Sequence, residues 1–468
     1  MKPLYKRARK VHFVGIGGVG MSGIAEVLLR LGYRVSGSDL RESEATRRLA
    51  SLGARIMYGH DESHVEPDVE VVVISSAVRF SNPEVQRARA LKIPVIPRAE
   101  MLAELMRTKS GVAVAGTHGK TTTTSLIAAV LSRAGLDPTV VIGGKVHSLG
   151  ANAHLGNGEI MVAEADESDG SFLLLSPVLA VVTNIDPEHL DFYGTLERAK
   201  EAYLDFLNRV PFFGAAVVCV DDANIRALLP NVRKRTISYG TTPDANYVAR
   251  EVQVEGLQTR FVVEHEGENL GEFVVRMPGR HQALNALAAL AVARELEVPL
   301  PTVRDALAEF RGIHRRFEVC GEESGVLLVS DYGHHPAEIR ATLAAAREGF
   351  GRRLVVAFQP HRYTRTRDLF SDFLSAFDAA DELFLTEIYP AGESPIEGVS
   401  GETLYRALAR RGHLDVHFVP NLQELPDRIF PRLRAGDLLL ILGAGNIYEL
   451  VEPMRDRLAQ RVAGPTVH

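Results

Sequence analysis

Residues 112–125 read V-A-V-A-G-T-H-G-K-T-T-T-T-S, and no other stretch limits the fold as strongly. The apolar run 112–115 has the character of a parallel strand buried on both faces. It ends in a glycine turn, Gly116 and Gly119, followed by Lys120, Thr121 and a helical pattern over 126–134. Strand, glycine turn, Lys, Thr and helix in that order form a phosphate cradle. Glycines let backbone N–H groups face an anion, and the helix start adds positive potential. In such a cradle Lys120 reaches the outer phosphates and the Thr121 hydroxyl is placed to hold Mg²⁺. The turn is shorter than the common G-x-x-x-x-G-K-[ST] form, since Val114 stands where the first glycine would be. The bland alternative is a Gly/Thr-rich turn without a ligand.

The rest of the composition leaves room for about three domains in the 468 residues. A net charge of -6 gives no footprint for nucleic acid. Cys219 and Cys320 form no CxxC spacing, which argues against a disulfide framework or zinc site and fits a reducing cytoplasm. The apolar stretch after the basic start is short and glycine-rich, unlike a signal sequence. No apolar run approaches the roughly 20 residues that span a bilayer, so no membrane role is expected.

A second phosphate-binding turn precedes the first. Residues 11–20 read V-H-F-V-G-I-G-G-V-G, a short strand running into Gly15, Gly17 and Gly20, with a helical pattern after it. A second strand ends at Ser38-Asp39, which gives the glycine fingerprint an acid about 20 residues on. That arrangement seats a diphosphate on the helix start and a ribose hydroxyl near Asp39. Two such turns in successive domains suggest two phosphorylated ligands. A further strand over 69–75 ends in Ser76-Ala77, and a first domain boundary falls near Thr108.

Downstream, residues 160–170 read I-M-V-A-E-A-D-E-S-D-G, an apolar strand opening into Glu164, Asp166, Glu167 and Asp169. Acids at the carboxyl end of a parallel strand lie in the ligand crevice, and beside a phosphate loop they suit Mg²⁺. His189 and Asp191 follow another strand end. His281 and Asn285 are four residues apart and share a helix face that could meet a base. Alternating residues over about 237–277 read as antiparallel hairpins without a legible function. The second boundary falls near Gly312. The last third opens with D-Y-G-H-H-P and carries Q-P-H-R-Y-T-R-T-R-D, where the cluster of Arg362, Arg365 and Arg367 beside His361 suggests an anion site, the alternative being a solvated charged face.

Five stretches then carry a resemblance: 12–28, 115–124, 163–169, 331–336 and 358–369. In order and content they resemble the Mur ligase family, the ATP-dependent amide ligases of peptidoglycan synthesis, in the type that adds the first amino acid. The resemblance implies α/β architecture in three domains, each a mainly parallel sheet flanked by helices. These are a Rossmann-like sugar-nucleotide domain over 1–107, a P-loop ATP domain over 108–312 and a Rossmann-like closing domain over 313–468. It implies that ATP, L-alanine and UDP-N-acetylmuramate give ADP, phosphate and the alanyl conjugate through an acyl phosphate, in the cytoplasm, by a monomer or homodimer.

The same resemblance implies residue roles. Gly116, Thr117, His118, Gly119, Lys120, Thr121 and Thr122 bind ATP, with Lys120 on the γ-phosphate. Thr121, Glu164 and His189 serve Mg²⁺, while His281 and Asn285 lie by the adenine. Arg316 and Asp331 meet ATP from the closing side. His334, Arg362 and Arg365 face a substrate carboxylate. Gly15, Gly17, Gly18, Gly20, Ser38, Asp39 and Ser76 hold the UDP-sugar. Lys120, His189, Arg316 and Asp331 form the catalytic set. Two departures stand out: Gln282 replaces a family Asn beside His281, and Ser330 replaces the first of two acids before Tyr332.

Three rivals frame the reading. A nicotinamide oxidoreductase leaves Lys120, Thr121 and the carboxylates idle. A nucleotide-regulated binding protein predicts ATP binding without phosphate release. A sister ligase adding another amino acid shares the phosphate loop and differs in the first and last domains.

Overall fold

The computed structural model describes residues 10–75, 77–146, 151–412 and 415–462. It contains three sheets. The first has the strand order Arg55–Tyr58, Arg34–Asp39, Lys10–Val14, Val71–Ile74 and Val95–Pro97, all parallel. Sequence-adjacent strands lie on opposite sides of Lys10–Val14, so the order reverses there and a crevice opens at the strand ends. The glycine turn fills that position. Val11, Phe13, Val14, Val72 and Val73 are buried, as strands covered on both faces require.

The second sheet runs Thr236–Gly240, Ala215–Cys219, Leu179–Val182, Ser110–Ala115, Ile160–Glu164, Thr139–Val146 and Ala151–His154. All neighbours are parallel except the last pair. Three strands, Tyr247–Glu255, Gln258–His265 and Glu268–Val275, continue the order beyond Thr236–Gly240, in the region expected to form hairpins. The third sheet runs Glu318–Glu323, Val326–Asp331, Asp437–Leu442, Arg353–Phe358, Glu382–Leu385 and Asp415–Phe418. Only Glu318–Glu323 is antiparallel to its neighbour. Along Asp437–Leu442 the side chains alternate between two cores: Leu438, Leu440 and Leu442 meet Phe358, Phe373 and Phe377, while Leu439 and Ile441 meet Leu425, Ile429 and Met454. Burying each such side chain is worth roughly 1.5–3 kcal/mol.

The chain packs as two compact units. One comprises Met1–Ala249, Val263–Gly271 and Leu284–Arg311; the other comprises Arg250–Val262, Glu272–Ala283 and Gly312–His468. The first sheet and the phosphate-loop strands share a unit because the helix Val19–Arg30 packs on Thr139–Val146 and Ala151–His154, and the helix Arg98–Met106 packs on Ser171–Leu174. The strands Arg55–Tyr58, Ala151–His154 and Glu318–Glu323 carry no clear apolar alternation and were not expected from sequence. Among the described residues, no helix is long and apolar enough to cross a membrane.

Candidate active site

Ser110–Ala115 lies between Leu179–Val182 and Ile160–Glu164, parallel to both, so three strand ends open on one crevice. Gly116 turns the chain with φ +132°, and a Cβ there would stand 2.1 Å from Thr183 Oγ1. The loop is fastened to the segment after Leu179–Val182. The N–H of Thr117 donates to Asn184 O (3.1 Å), the N–H of His118 donates to Asn184 Oδ1 (2.7 Å), and Thr183 Oγ1 donates to His118 O (2.5 Å). The His118 ring lies 2.9 Å from Asp186 Oδ2 through Nε2. Gly119, in a left-handed conformation, precedes the helix Lys120–Arg133, and Thr122 is buried in its first turn.

The four carboxylates after Ile160–Glu164 have separate partners. Thr121 Oγ1 donates to Glu164 at 3.1 and 3.0 Å, and Glu164 Oε2 also accepts the Gly143 N–H (2.7 Å). Glu167 Oε1 accepts from Lys120 Nζ at 2.7 Å, and that ammonium also donates to the carbonyls of Gly116 (2.7 Å) and Thr117 (3.1 Å). Burial alone would push the Lys120 ammonium down, but the carboxylates of Glu167 and Glu164 hold it above its ordinary value. Burial pushes the Glu167 carboxyl up to about 7 against the pull of Lys120. Its second oxygen is buried without a hydrogen-bond partner among the described residues. Asp166 Oδ2 accepts from Arg98 (2.7 Å), and Asp169 accepts the Ser171 N–H (3.0 Å).

His189 begins the short helix Leu190–Tyr193 at φ +55° and ψ 34°, with Nε2 3.9 Å from Glu167 Oε1. A left-handed conformation at a non-glycine residue marks local strain held by its surroundings. Asn285 supports the loop: its Oδ1 accepts from Thr123 Oγ1 (3.2 Å) and lies 2.8 Å from where a Cβ at Gly119 would be. His281 sits at the start of the same helix, Arg280–Glu295, with Nε2 2.9 Å from the Gln282 amide nitrogen.

At the first sheet, the N–H groups of Gly15 and Ile16 donate to Ser38 O (2.8 and 2.9 Å), and Gly17 N–H donates to Asp39 Oδ2 (2.8 Å). Asp39 Oδ1 accepts the Leu40 N–H (2.8 Å). Asp39 thus closes the turn. Gly18 donates back to Gly15 O (3.2 Å), and Gly20 lies against Arg98. The Ser38 hydroxyl is buried on Glu84 (2.8 Å). Ser76 lies outside the described residues.

The second unit gathers the C-terminal cations. Arg365 Nη1 donates to His361 O (3.1 Å), and the His361 ring lies 5.7 Å from that of His334. Arg362 precedes the helix Tyr363–Asp368 at φ +70° and ψ 139°, a second strained non-glycine residue, with Nη1 4.0 Å from Glu393. Asp331 does not point at open solvent. Its oxygens accept the N–H groups of Phe317 and Gly333, each at 2.7 Å, and so pin the turns that carry Arg316 and His334. Burial pushes its carboxyl up. Arg316 lies over the Tyr332 ring, 5.1 Å from its centre, and 3.6 Å from Glu338. Sequence reasoning gave no function to Arg315, whose guanidinium is sandwiched between Tyr332 and Tyr448. Nor did it single out Arg98. A further acid–histidine group, Glu382, Asp415 and His417, is neutralised by Arg353 and Arg432 and reads as an ion-pair network.

Comparisons with known proteins give a consistent picture. Three Mur ligase family models match: the catalytic domain over residues 10–110, the middle domain over 114–293 and the glutamate ligase domain over 315–445. The UDP-N-acetylmuramate–L-alanine ligase of Myxococcus xanthus is 59% identical over 96% of this chain and 96% of its own. That of Geobacter sulfurreducens is 56% identical over 98% of this chain and 99% of its own. The crystal structure of the UDP-N-acetylmuramate-alanine ligase of Thermotoga maritima is 33% identical and superposes with a TM-score of 0.82, covering 97% of this chain and 99% of that one.

Proposed function

The chain belongs to the Mur ligase family, and from that membership we propose that it joins L-alanine to the carboxylate of UDP-N-acetylmuramate. In this reading ATP supplies the γ-phosphoryl group and leaves as ADP. A carboxylate is a poor acyl donor, because its oxygen is a poor leaving group. Transfer of the phosphoryl group to it gives an acyl phosphate. The alanine amine then attacks the acyl carbon, the carbon–oxygen bond to phosphate breaks, and the amine loses a proton to complete the amide.

The observation that carries this reading is the paired arrangement at the phosphate loop, with Lys120 against Glu167 and Thr121 against Glu164. Lys120 then neutralises the transferring phosphoryl group. The Thr121 hydroxyl and the Glu164 carboxylate are adjacent hard oxygen donors, the set Mg²⁺ prefers, and His189 completes the assignment. When bound, Mg²⁺ would withdraw negative charge from the terminal phosphates. Gly116, Thr117, His118, Gly119 and Thr122 contribute to the ATP cradle, with His281 and Asn285 on the nucleoside side. Arg316 and Asp331 are assigned to ATP, and His334, Arg362 and Arg365 to a substrate carboxylate. Gly15, Gly17, Gly18, Gly20, Ser38, Asp39 and Ser76 are assigned to the sugar nucleotide.

We assign 1–107 to the sugar nucleotide, 108–312 to ATP and 313–468 to the amino-acid side, in a cytoplasmic protein that is a monomer or homodimer. The test is phosphate release with UDP-N-acetylmuramate against a panel of amino acids. Release that depends on both the sugar nucleotide and L-alanine supports the reading. Release with glutamate or diaminopimelate in place of alanine points to a sister ligase.

A further inference from the structure

The turn 443–446, G-A-G-N, follows the strand Asp437–Leu442 of the third sheet. That strand pairs with Arg353–Phe358, whose end leads into the cations at 361–365. Neither glycine of the turn has room for a side chain. Gly443 has φ +150°, and a Cβ there would stand 3.0 Å from Gln359 O. A Cβ at Gly445 would stand 2.4 Å from Gln359 Oε1 and 2.7 Å from Tyr389 Cγ. The backbone of the turn therefore packs directly on Gln359 and Tyr389, and these two hold the cation segment. Gln359 Oε1 accepts the Ile447 N–H (3.1 Å), and its amide nitrogen donates to Asn446 Oδ1 (3.0 Å). The Tyr389 carbonyl accepts the Arg362 N–H (2.9 Å), and the Tyr389 N–H donates to Pro360 O (2.8 Å). The Tyr389 ring stacks on that of His361, 11° from parallel with centres 5.6 Å apart. Arg362 is held beside it at φ +70°, a conformation that persists only where the surroundings over-determine it.

Arg315 fastens the other side of the turn. Its Nη2 donates to the carbonyls of both Gly443 and Gly445, the second at 3.3 Å. The guanidinium lies 4.9 Å from the centre of the Tyr332 ring and 4.4 Å from that of Tyr448. The backbone of Arg315 is fixed as well: its N–H donates to Glu318 Oε2 (2.8 Å), and its carbonyl accepts the Tyr332 N–H (2.7 Å). Its Nε is buried without a hydrogen-bond partner among the described residues, and burial pushes its pKa below the ordinary arginine value. A charge kept in such surroundings costs stability. What a neutral side chain in the same slot could not supply is a planar group, seated between two rings, that ties two carbonyls of one turn.

We infer that Arg315 is a positioning residue for the acceptor amino acid: through the turn 443–446 and Tyr389 it sets His361 and Arg362 where the substrate carboxylate meets them. The inference rests on the proposed ligation and on the assignment of Arg362 to that carboxylate. Arg315 itself touches no substrate, unlike its neighbour Arg316, which is assigned to ATP. A guanidinium holds a carboxylate by two parallel hydrogen bonds only when the fork faces it squarely. A displacement of about 1 Å at such a group can cost on the order of a hundredfold in rate.

The test is steady-state phosphate release by the full chain, with L-alanine, UDP-N-acetylmuramate and ATP varied in turn, for the wild type, R315A, R315K, G445A and L408A. R315A should raise the KM for L-alanine roughly ten- to a hundredfold, with the KM for ATP and for UDP-N-acetylmuramate within about twofold of the wild type. G445A, which pushes on Gln359 and Tyr389 from the turn itself, should give the same pattern. R315K keeps the charge but not the planar fork and should fall between. Leu408 is buried in the core of the same unit away from the turn, so L408A lowers stability without touching the tie and should leave all three KM values within about twofold. An unchanged KM for L-alanine in R315A overturns the inference, and so does a rise shared by all three substrates or reproduced by L408A, since either makes Arg315 merely structural. A rise confined to ATP or to UDP-N-acetylmuramate overturns the acceptor assignment. Should R315A not fold, R315K and G445A decide: a KM for L-alanine within twofold of the wild type in both overturns the inference. Failure of the wild type to release phosphate with L-alanine would instead sink the proposed ligation, and the inference with it.

Discussion

The ammonium of Lys120 lies 2.7 Å from Oε1 of Glu167, with its remaining donors on the carbonyls of Gly116 and Thr117. The lysine is thus folded back on its own loop and held by a buried acid. In the proposed reaction a γ-phosphate would draw it away from that acid, and burial has already pushed the Glu167 carboxyl up to about 7. Protonation of Glu167 would lower the cost of that exchange.

Lys120→Ala should abolish ligation while leaving the chain folded. Glu167, freed of its partner, can stay neutral rather than leave a buried charge. Losing one preorganised cation of this kind costs on the order of 10²–10³ in rate. Phosphate release measures the loss, and titration with UDP-N-acetylmuramate should give an unchanged Kd. Retained phosphate release would remove Lys120 from the transfer step.

Glu164→Ala or His189→Ala should raise the Mg²⁺ concentration needed for half-maximal turnover, or end turnover. Thr121 would keep a hydroxyl but lose the carboxylate it meets at 3.0 Å. A Mg²⁺ titration of phosphate release reads this directly. A curve that overlays the wild type would exclude both residues from the metal site.

Much of the site was legible because its chemistry is local. Strand, glycine turn, Lys120 and Thr121 are consecutive, and the acids of 164–169 follow a buried strand without a break. What could not be read was which acid serves which partner. Glu167 and Glu164 differ by three positions, yet one holds Lys120 and the other Thr121. Arg98 read only as the start of a helix, since its partner is 68 residues away. Spacing also says nothing about which way the oxygens of Asp39 face; they accept the N–H groups of Gly17 and Leu40. The strand Arg55–Tyr58 escaped notice because an edge strand needs no apolar alternation, and none of its residues is buried.

Gly116→Ala should be far more damaging than Gly135→Ala, though both glycines have positive φ. At Gly135, with φ +75°, a Cβ meets nothing within 4 Å. Only the conformational cost applies there, about 1–2 kcal/mol. At Gly116, φ +132° combines with a Cβ 2.1 Å from Thr183 Oγ1 and 3.0 Å from the Thr183 nitrogen. Overpacking adds about 1–3 kcal/mol and displaces the loop that carries Lys120. Urea midpoints should fall in the order wild type, Gly135→Ala, Gly116→Ala, and only Gly116→Ala should lose ATP binding. Equal midpoints for the two variants would mean that the loop does not rest on Thr183.

Glu84 gives the first unit an acid limit. Its carboxylate is fully buried and accepts from the Ser38 hydroxyl (2.8 Å), with ring nitrogens of His12 and His60 each 2.7 Å away. Burial pushes its pKa up, but these hydrogen bonds outweigh burial and hold it below the usual carboxylate range. A carboxylate with a depressed folded-state pKa binds fewer protons folded than unfolded. Its stabilisation is therefore complete above the ordinary glutamate range and lost as pH falls through the folded value. Glu84→Gln keeps the shape and one acceptor but removes the charge. At pH 7 it should cost about 2–4 kcal/mol, as expected for buried hydrogen bonds to a charged group. As the pH falls below about 4, the wild type should lose that advantage and approach the variant. Urea denaturation of both proteins at a series of pH values tests this. A gap of constant size from pH 7 to pH 3 would show that packing, rather than ionisation of Glu84, holds Ser38 and with it the glycine turn that rests on its carbonyl.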